Sequence, residues 1–182
     1  MSVNNPTCPQ DCTSTLPAAS FDVCAPETHF GQVKKLYIAN DGYPLTDWTD
    51  ASEWATRIDN ASTSSNAIRE LTIIGSLARA ESSEKKISGG RTVKGKKTRT
   101  LSIKVDETND INYEFLRTLE CGLSYRVWYA TDDHLYGGND GILMTLNIDE
   151  VIPENEEDYV LFEGEGKWFS QFAPERTANI IA

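Results

Sequence analysis

The sequence predicts a mainly β protein: an antiparallel β sandwich or barrel with one packed α-helix, an irregular N-terminal arm and a long charged hairpin. Three observations lead there. Apolar residues alternate with polar ones through several segments, as in Leu101, Ile103 and Val105 against Ser102 and Lys104. That is the period-two pattern of a strand with one wet face. Turn signals built from Gly, Asn and Asp separate the segments. Only residues 109–121 carry the apolar stripe of a substantial helix. At 182 residues the chain has the length of one domain with its own core.

Residues 1–30 form the arm, and 31–182 a single β-sandwich domain. Four of the seven prolines fall in the arm (Pro6, Pro9, Pro17 and Pro26), and their fixed φ and missing N–H oppose regular structure. Phe21, Val23 and Phe30 are apolar enough to pin it to the body or to a neighbour. From Val33 to Ala39 a β-rich run ends at the turn signal Asn40-Asp41-Gly42. A short helix is predicted around 50–59, with Asp50 and Glu53 spaced as a capping box and Trp54 and Ile58 one turn apart. Leu71, Ile73, Gly75 and Leu77 mark the next strand. In the main helix, Thr108, Asn109 and Asp110 supply capping oxygens, and Ile111, Phe115, Leu116 and Leu119 the stripe. Gly122 stands where a left-handed C-terminal residue belongs. Three more strand patterns follow. Tyr125, Val127 and Tyr129 alternate with Arg126 and Trp128; Ile142, Met144, Leu146 and Ile148 share a face; and a last strand runs from about Tyr159 to Phe172. Within that strand Val160, Phe162, Trp168 and Phe172 lie opposite Glu163, Glu165 and Lys167.

Charge is distributed very unevenly. Residues 84–104 hold Lys85, Lys86, Arg91, Lys94, Lys96, Lys97, Arg99 and Lys104 against Glu84 alone, while the whole chain carries −11. Residues 149–165 hold eight carboxylates, among them Glu154, Glu156, Glu157 and Asp158, and no Lys or Arg. The basic block reads as a long hairpin, with turn signals at Ser88-Gly89-Gly90 and Lys94-Gly95-Lys96. It lacks the interleaved aromatics of a single-strand nucleic-acid binder, and the net charge opposes simple DNA binding. A solvated loop would account for the basic block alone. An arm that reaches the acidic surface of another copy accounts for both blocks at once.

Chemistry is nearly absent from the sequence. The two histidines, His29 and His134, leave little room for a Ser-His-Asp or Cys-His site. Cys8, Cys12, Cys24 and His29 read C-x3-C-x11-C-x4-H, residue types that zinc accepts at a spacing looser than a zinc motif. Free thiols in an extended arm are the simpler reading, and Cys121 reads as a small buried residue. Asp132, Asp133 and Asp140 could offer oxygen to Ca²⁺ but match no EF-hand loop; turns use Asp and Gly for backbone reasons alone. No Walker pattern appears among the glycines. No catalytic residue, cofactor or metal is therefore expected. No apolar run reaches membrane-spanning length, and the N-terminus lacks the features of a signal peptide.

The arm, the charged hairpin, the stretch DETNDINYEFLRTLECG after a long strand, and the later RVWYATDDHLYGGNDGI and FEGEGKWFSQFAPER together resemble the tail tube proteins of tailed bacteriophages. The resemblance spans residues 33–176 and is architectural. It implies a non-enzymatic virion protein, made in the host bacterial cytoplasm, whose hexameric rings stack into a tube for double-stranded DNA. Residues 84–99 would contact the adjoining ring, and other virion proteins would be partners. An auxiliary or decoration capsid protein and a head–tail connector subunit share the same features. From another class, a carbohydrate-binding module would need Trp48, Trp54 or Trp128 exposed along a groove.

Overall fold

The computed structural model describes residues 19, 29, 31–58, 64–121, 124–155 and 157–181. The predicted N-terminal arm, with Cys8, Cys12 and Cys24, lies outside the described residues except for Ala19 and His29. Gly122 and Glu156 also lie outside them.

In chain order the elements are β1 (Val33–Asn40), α1 (Ala51–Ile58), β2 (Ile68–Leu77), β3 (Glu81–Lys86), β4 (Thr92–Val105), α2 (Asp110–Leu119), β5 (Tyr125–Ala130), β6 (His134–Tyr136), β7 (Ile142–Val151), β8 (Leu161–Ser170) and β9 (Arg176–Ala178). Neighbours run β1-β2-β4-β8-β7-β5, and β5 pairs back onto β1, with every pairing antiparallel. Of the two arrangements left open by the sequence, the strands take the closed one, a six-stranded barrel. Closure removes the sheet edges that an open sheet would expose. β3 continues alongside β4, while β6 and β9 extend the sheet from β5.

The period-two residues fill the barrel. Leu36, Ile38, Leu71, Ile73, Leu101, Ile103, Val105, Val127, Met144, Leu146 and Phe162 form one buried cluster. α2 closes one end with Leu116 and Leu119, and the Tyr125 hydroxyl donates to the Thr118 carbonyl at 3.3 Å. Its N-cap is the predicted Asn109, whose side chain accepts from the Asn112 N–H at 2.8 Å. Two expectations at this helix fail. Ile111, in the first turn, is 80 % exposed, while Leu116 and Leu119 further along carry the buried contact, and Cys121, past the last helical turn, is exposed.

A second apolar cluster coats the outside of β1 and β5: Tyr37, Ala39, Leu45, Trp48, Trp54, Ile68, Trp128, Ala130 and Leu135. β5 is thus buried on both faces, where its alternation had suggested one wet face. The covering layer is α1 with its preceding loop. Arg57, itself buried, locks that loop by donating to the carbonyls of Tyr43, Pro44 and Asn66 at 2.7–2.9 Å. Glu53 does not close a capping box on Asp50. It bends back to accept the Thr46 and Asp47 N–H groups, and Asp50 caps through the Ser52 N–H instead. On the other side, the Trp128 indole N–H donates to Gly138 at 2.7 Å. Gly141, with φ +64°, closes over the ring so tightly that a Cβ there would stand 2.8 Å from it. Two short strands escaped the sequence reading, β6 and β9. Each has three residues and is fixed by pairing with its neighbour rather than by its own pattern.

Two buried tyrosines give the fold a pH limit. Burial, reinforced by Glu70, raises Tyr37 far above its ordinary value near 10; burial, with Tyr136 alongside, does the same to Tyr129. A raised phenol pKa adds stability that is complete below the unfolded value and is lost as pH climbs toward the folded one. The unfolding free energy is therefore expected to be insensitive to these two groups up to pH ~10, then to fall by about 1.4 kcal/mol per pH unit for each tyrosine. Urea titrations across the alkaline range check this, and replacing Tyr129 by Phe should roughly halve the slope.

Candidate assembly surfaces

The basic ribbon and the acidic loop end up at opposite ends of the barrel, and the strand register places them there. Across β4, β8 and β7, Val105 lies beside Phe162, which lies beside Glu150. At the far end of β4, Lys97 lies beside Ser170. Eight residues of extended chain separate these rows, about 27 Å. The acidic loop leaves from Val151 and returns at Leu161, at the end closed by α2. The basic residues of the ribbon belong to the other end.

There β4 outruns the barrel. From Thr92 to Lys96 its backbone partners are on β3 alone, with Lys86 opposite Thr92 and Glu84 opposite Lys94. A 3-10 turn at Ser88–Gly90, in which Gly89 and Gly90 take positive φ, joins the two strands into a ribbon. Lys85, Lys86, Arg91 and Lys96 are exposed, and Lys97 is half-buried at the ribbon's base. The Lys94 side chain is outside the description. Among the described residues, none of Lys85, Lys86, Arg91, Lys96 and Lys97 forms an ion pair within the chain. Arg99 departs from the expected set. It sits on the inward parity of β4 and donates through Nε to Ser170 Oγ at 3.1 Å, so the barrel mouth holds it. Lys104 is likewise engaged, with Glu163 at 2.5 Å.

At the opposite end, Glu154, Glu157 and Asp158 are exposed. By contrast Glu163 and Glu165, in β8, are paired with Lys104 and Lys167. The acidic loop also presents large apolar side chains that the sequence reading overlooked. Tyr159 is 87 % exposed and Ile152 73 %. Tyr159 and Asp158 line a shallow groove with Asp106, Thr108, Val151 and Leu161. Apolar anchors inside a charged rim are the composition of protein-binding surfaces rather than of solvated loops. At the ribbon tip Ile87 is exposed as well. Only Ile87 carried a signal in the sequence, alone inside the polar run EKKISGG; Ile152 and Tyr159 adjoin Val151 and Val160 and read as ends of strands.

The carboxylates considered for Ca²⁺ do not converge. Asp132 pairs with Lys34 at 2.7 Å, Asp133 with His29 at 3.0 Å, and Asp140 faces Arg126 at 3.9 Å. Trp48, Trp54 and Trp128 are all buried, so the exposed aromatic groove that a carbohydrate-binding module requires is not built from them. Among the described residues no helix is long and apolar enough to cross a membrane. No protein-family model matches the sequence, and no curated protein or solved structure is similar enough to supply a family or an activity.

Proposed function

We propose that the chain is a non-enzymatic virion structural protein of a tailed bacteriophage, a tail tube-like subunit that self-assembles into stacked rings for DNA passage. The observation that carries this reading is the axial separation of the two charged blocks. About 27 Å apart on one barrel, the ribbon lysines and the acidic loop cannot meet within a copy, although Lys104 and Glu163, the inner members of the two blocks, do. Head to tail, the ribbon of one copy meets the acidic loop of the next. Such a contact is heterologous, with different surfaces on the two partners, and it propagates into a stack. In this arrangement Ile87 at the ribbon tip fits the groove beside Tyr159, with the lysines around it facing Glu154, Glu157 and Asp158. A net charge of −11 suits a conduit along which DNA slides without adhering. The subunit's place is then the virion, with other virion proteins at the ends of the stack.

Light scattering of the purified full chain, with negative-stain microscopy of the same sample, tests this. Rings or tubes that dissociate as salt rises are expected, because charges exposed at a rim are screened within about 8 Å at physiological ionic strength. A strict monomer at low salt and high concentration would overturn self-assembly and move the reading to a decoration or connector subunit that docks on different proteins.

A further inference from the structure

The sequence contains two histidines, and the fold brings both to one place. His29 precedes β1, whereas His134 opens β6, yet their rings meet edge to face with centroids 4.6 Å apart. Beside them stands Asp133, whose Oδ2 is 3.0 Å from His29 Nδ1 across a separation of 104 positions. One ligand atom from each of the three residues lies within 4.8 Å of the others. Chance proximity of the only two imidazoles with a carboxylate is a poor account of this. Against the expectation of no metal, we propose that His29, Asp133 and His134 form a site for a divalent transition metal of the zinc class, which clasps the segment before β1 to the β5–β6 turn.

The donor set decides the class of ion. Two neutral imidazoles and one carboxylate suit borderline ions such as Zn²⁺ and Co²⁺, whereas Ca²⁺ and Mg²⁺ require shells of oxygen. Ligands about 2.0–2.1 Å from an ion stand about 3.0–3.4 Å from one another. The His29–Asp133 separation already meets that. Closing the His134 side needs a movement of about 1.5 Å, within reach of rotation about side-chain bonds. The proton that now joins His29 to Asp133 is what the ion replaces.

Two of the three ligands are held in advance. The Thr131 N–H donates to the His134 carbonyl at 2.9 Å, and the His134 N–H to Thr131 Oγ1 at 3.1 Å. Asn179 clamps the same turn from β9's end: its N–H donates to the Asp133 carbonyl and its side-chain amide to the Thr131 carbonyl, both at 2.9 Å. Lys34 is engaged with the neighbouring Asp132 rather than with Asp133. The His29 and Asp133 side chains are 39 % and 48 % exposed, so an ion can enter from solvent. The proposal does not depend on the assembly contact.

The experiment is titration of the metal-free full chain with Co²⁺ near neutral pH, followed by visible absorption and calorimetry, then displacement by Zn²⁺. One equivalent is expected to bind, with at least about tenfold weaker binding in each of His29→Ala, Asp133→Asn and His134→Ala. A chain with Cys8, Cys12 and Cys24 changed to Ser should bind Co²⁺ as the parent does. No saturable binding, or binding that survives His134→Ala, would overturn the site. So would loss in the serine variant together with a thiolate-to-cobalt charge-transfer band, which would place the ion on the arm's thiols. Imidazole NMR signals of the unmutated chain give a second reading free of folding effects. Both histidines must respond to one equivalent of Zn²⁺, and a response from only one of them rejects the proposal.

Discussion

Replacing Gly164 by alanine is expected to destabilise the barrel severely. Gly164 lies in β8 between Ile103 of β4 and Ile148 of β7. A Cβ built there would stand 2.0 Å from the Asn147 carbonyl oxygen and 2.5 Å from the Ile148 Cα. Both are backbone atoms, so no rotamer change relieves the collision; β7 itself must move, and with it the pairing that closes the barrel. The cost should exceed about 4 kcal/mol, a large part of a typical domain's stability of roughly 5–15 kcal/mol. Two companions set the scale. At Gly166 the nearest atom is the Met144 sulfur at 2.7 Å, the flexible end of a side chain, so Gly166→Ala should cost only about 1–3 kcal/mol. At Gly31 a Cβ meets nothing within 4 Å, and Gly31→Ala should change stability by less than about 0.5 kcal/mol. Denaturation followed by tryptophan fluorescence reads all three, because Trp168 is buried in the same strand. A Gly164→Ala protein as stable as its parent would mean that β7 and β8 are not packed this closely.

The second large effect is expected in assembly. Changing Lys85, Lys86 and Lys96 to Glu should abolish self-association, since three attractions become three repulsions against an acidic loop. A chain with Glu154, Glu157 and Asp158 changed to Lys should fail to self-associate for the mirror-image reason. Mixing the two is the decisive arm. Each variant retains one native surface and carries one reversed one. A reversed ribbon therefore matches a reversed loop, and every head-to-tail contact in an alternating stack is again complementary or native in pattern. Restored scattering mass in the mixture, absent from either variant alone, is the expected result. Glutamate keeps the ribbon edges charged, so the loss reports the sign of the charge rather than protection of an exposed β edge. Triple variants that associate as the parent does would remove the charged blocks from the mechanism.

Legibility in the sequence followed the range of the interactions. α2 and its Asn109 cap were readable because capping and the apolar stripe are settled within one or two turns of chain. The inward faces of β4 and β7 were readable because every second residue is apolar. β5 was half-readable: Tyr125, Val127 and Tyr129 face the barrel as expected, but Trp128 is buried too, under a layer supplied by α1 and the turn that ends at Gly141. In β8 the parity set by Phe162 and Trp168 was correct. The reason for the glycines between them was not visible, because it depends on how closely β7 approaches.

By itself the sequence determined the β class, the main helix, the inward residues of the regular strands and the existence of two opposed charged blocks, since each is written in neighbouring residues. Only the tertiary structure decided that the sheet closes into a barrel and that Arg99 belongs to the barrel mouth rather than the ribbon. It alone placed the basic ribbon and the acidic loop at opposite ends and brought His29 to Asp133 and His134. Those outcomes rest on strand order and register, which join residues up to about a hundred positions apart, and no local pattern of side chains encodes which strands become neighbours.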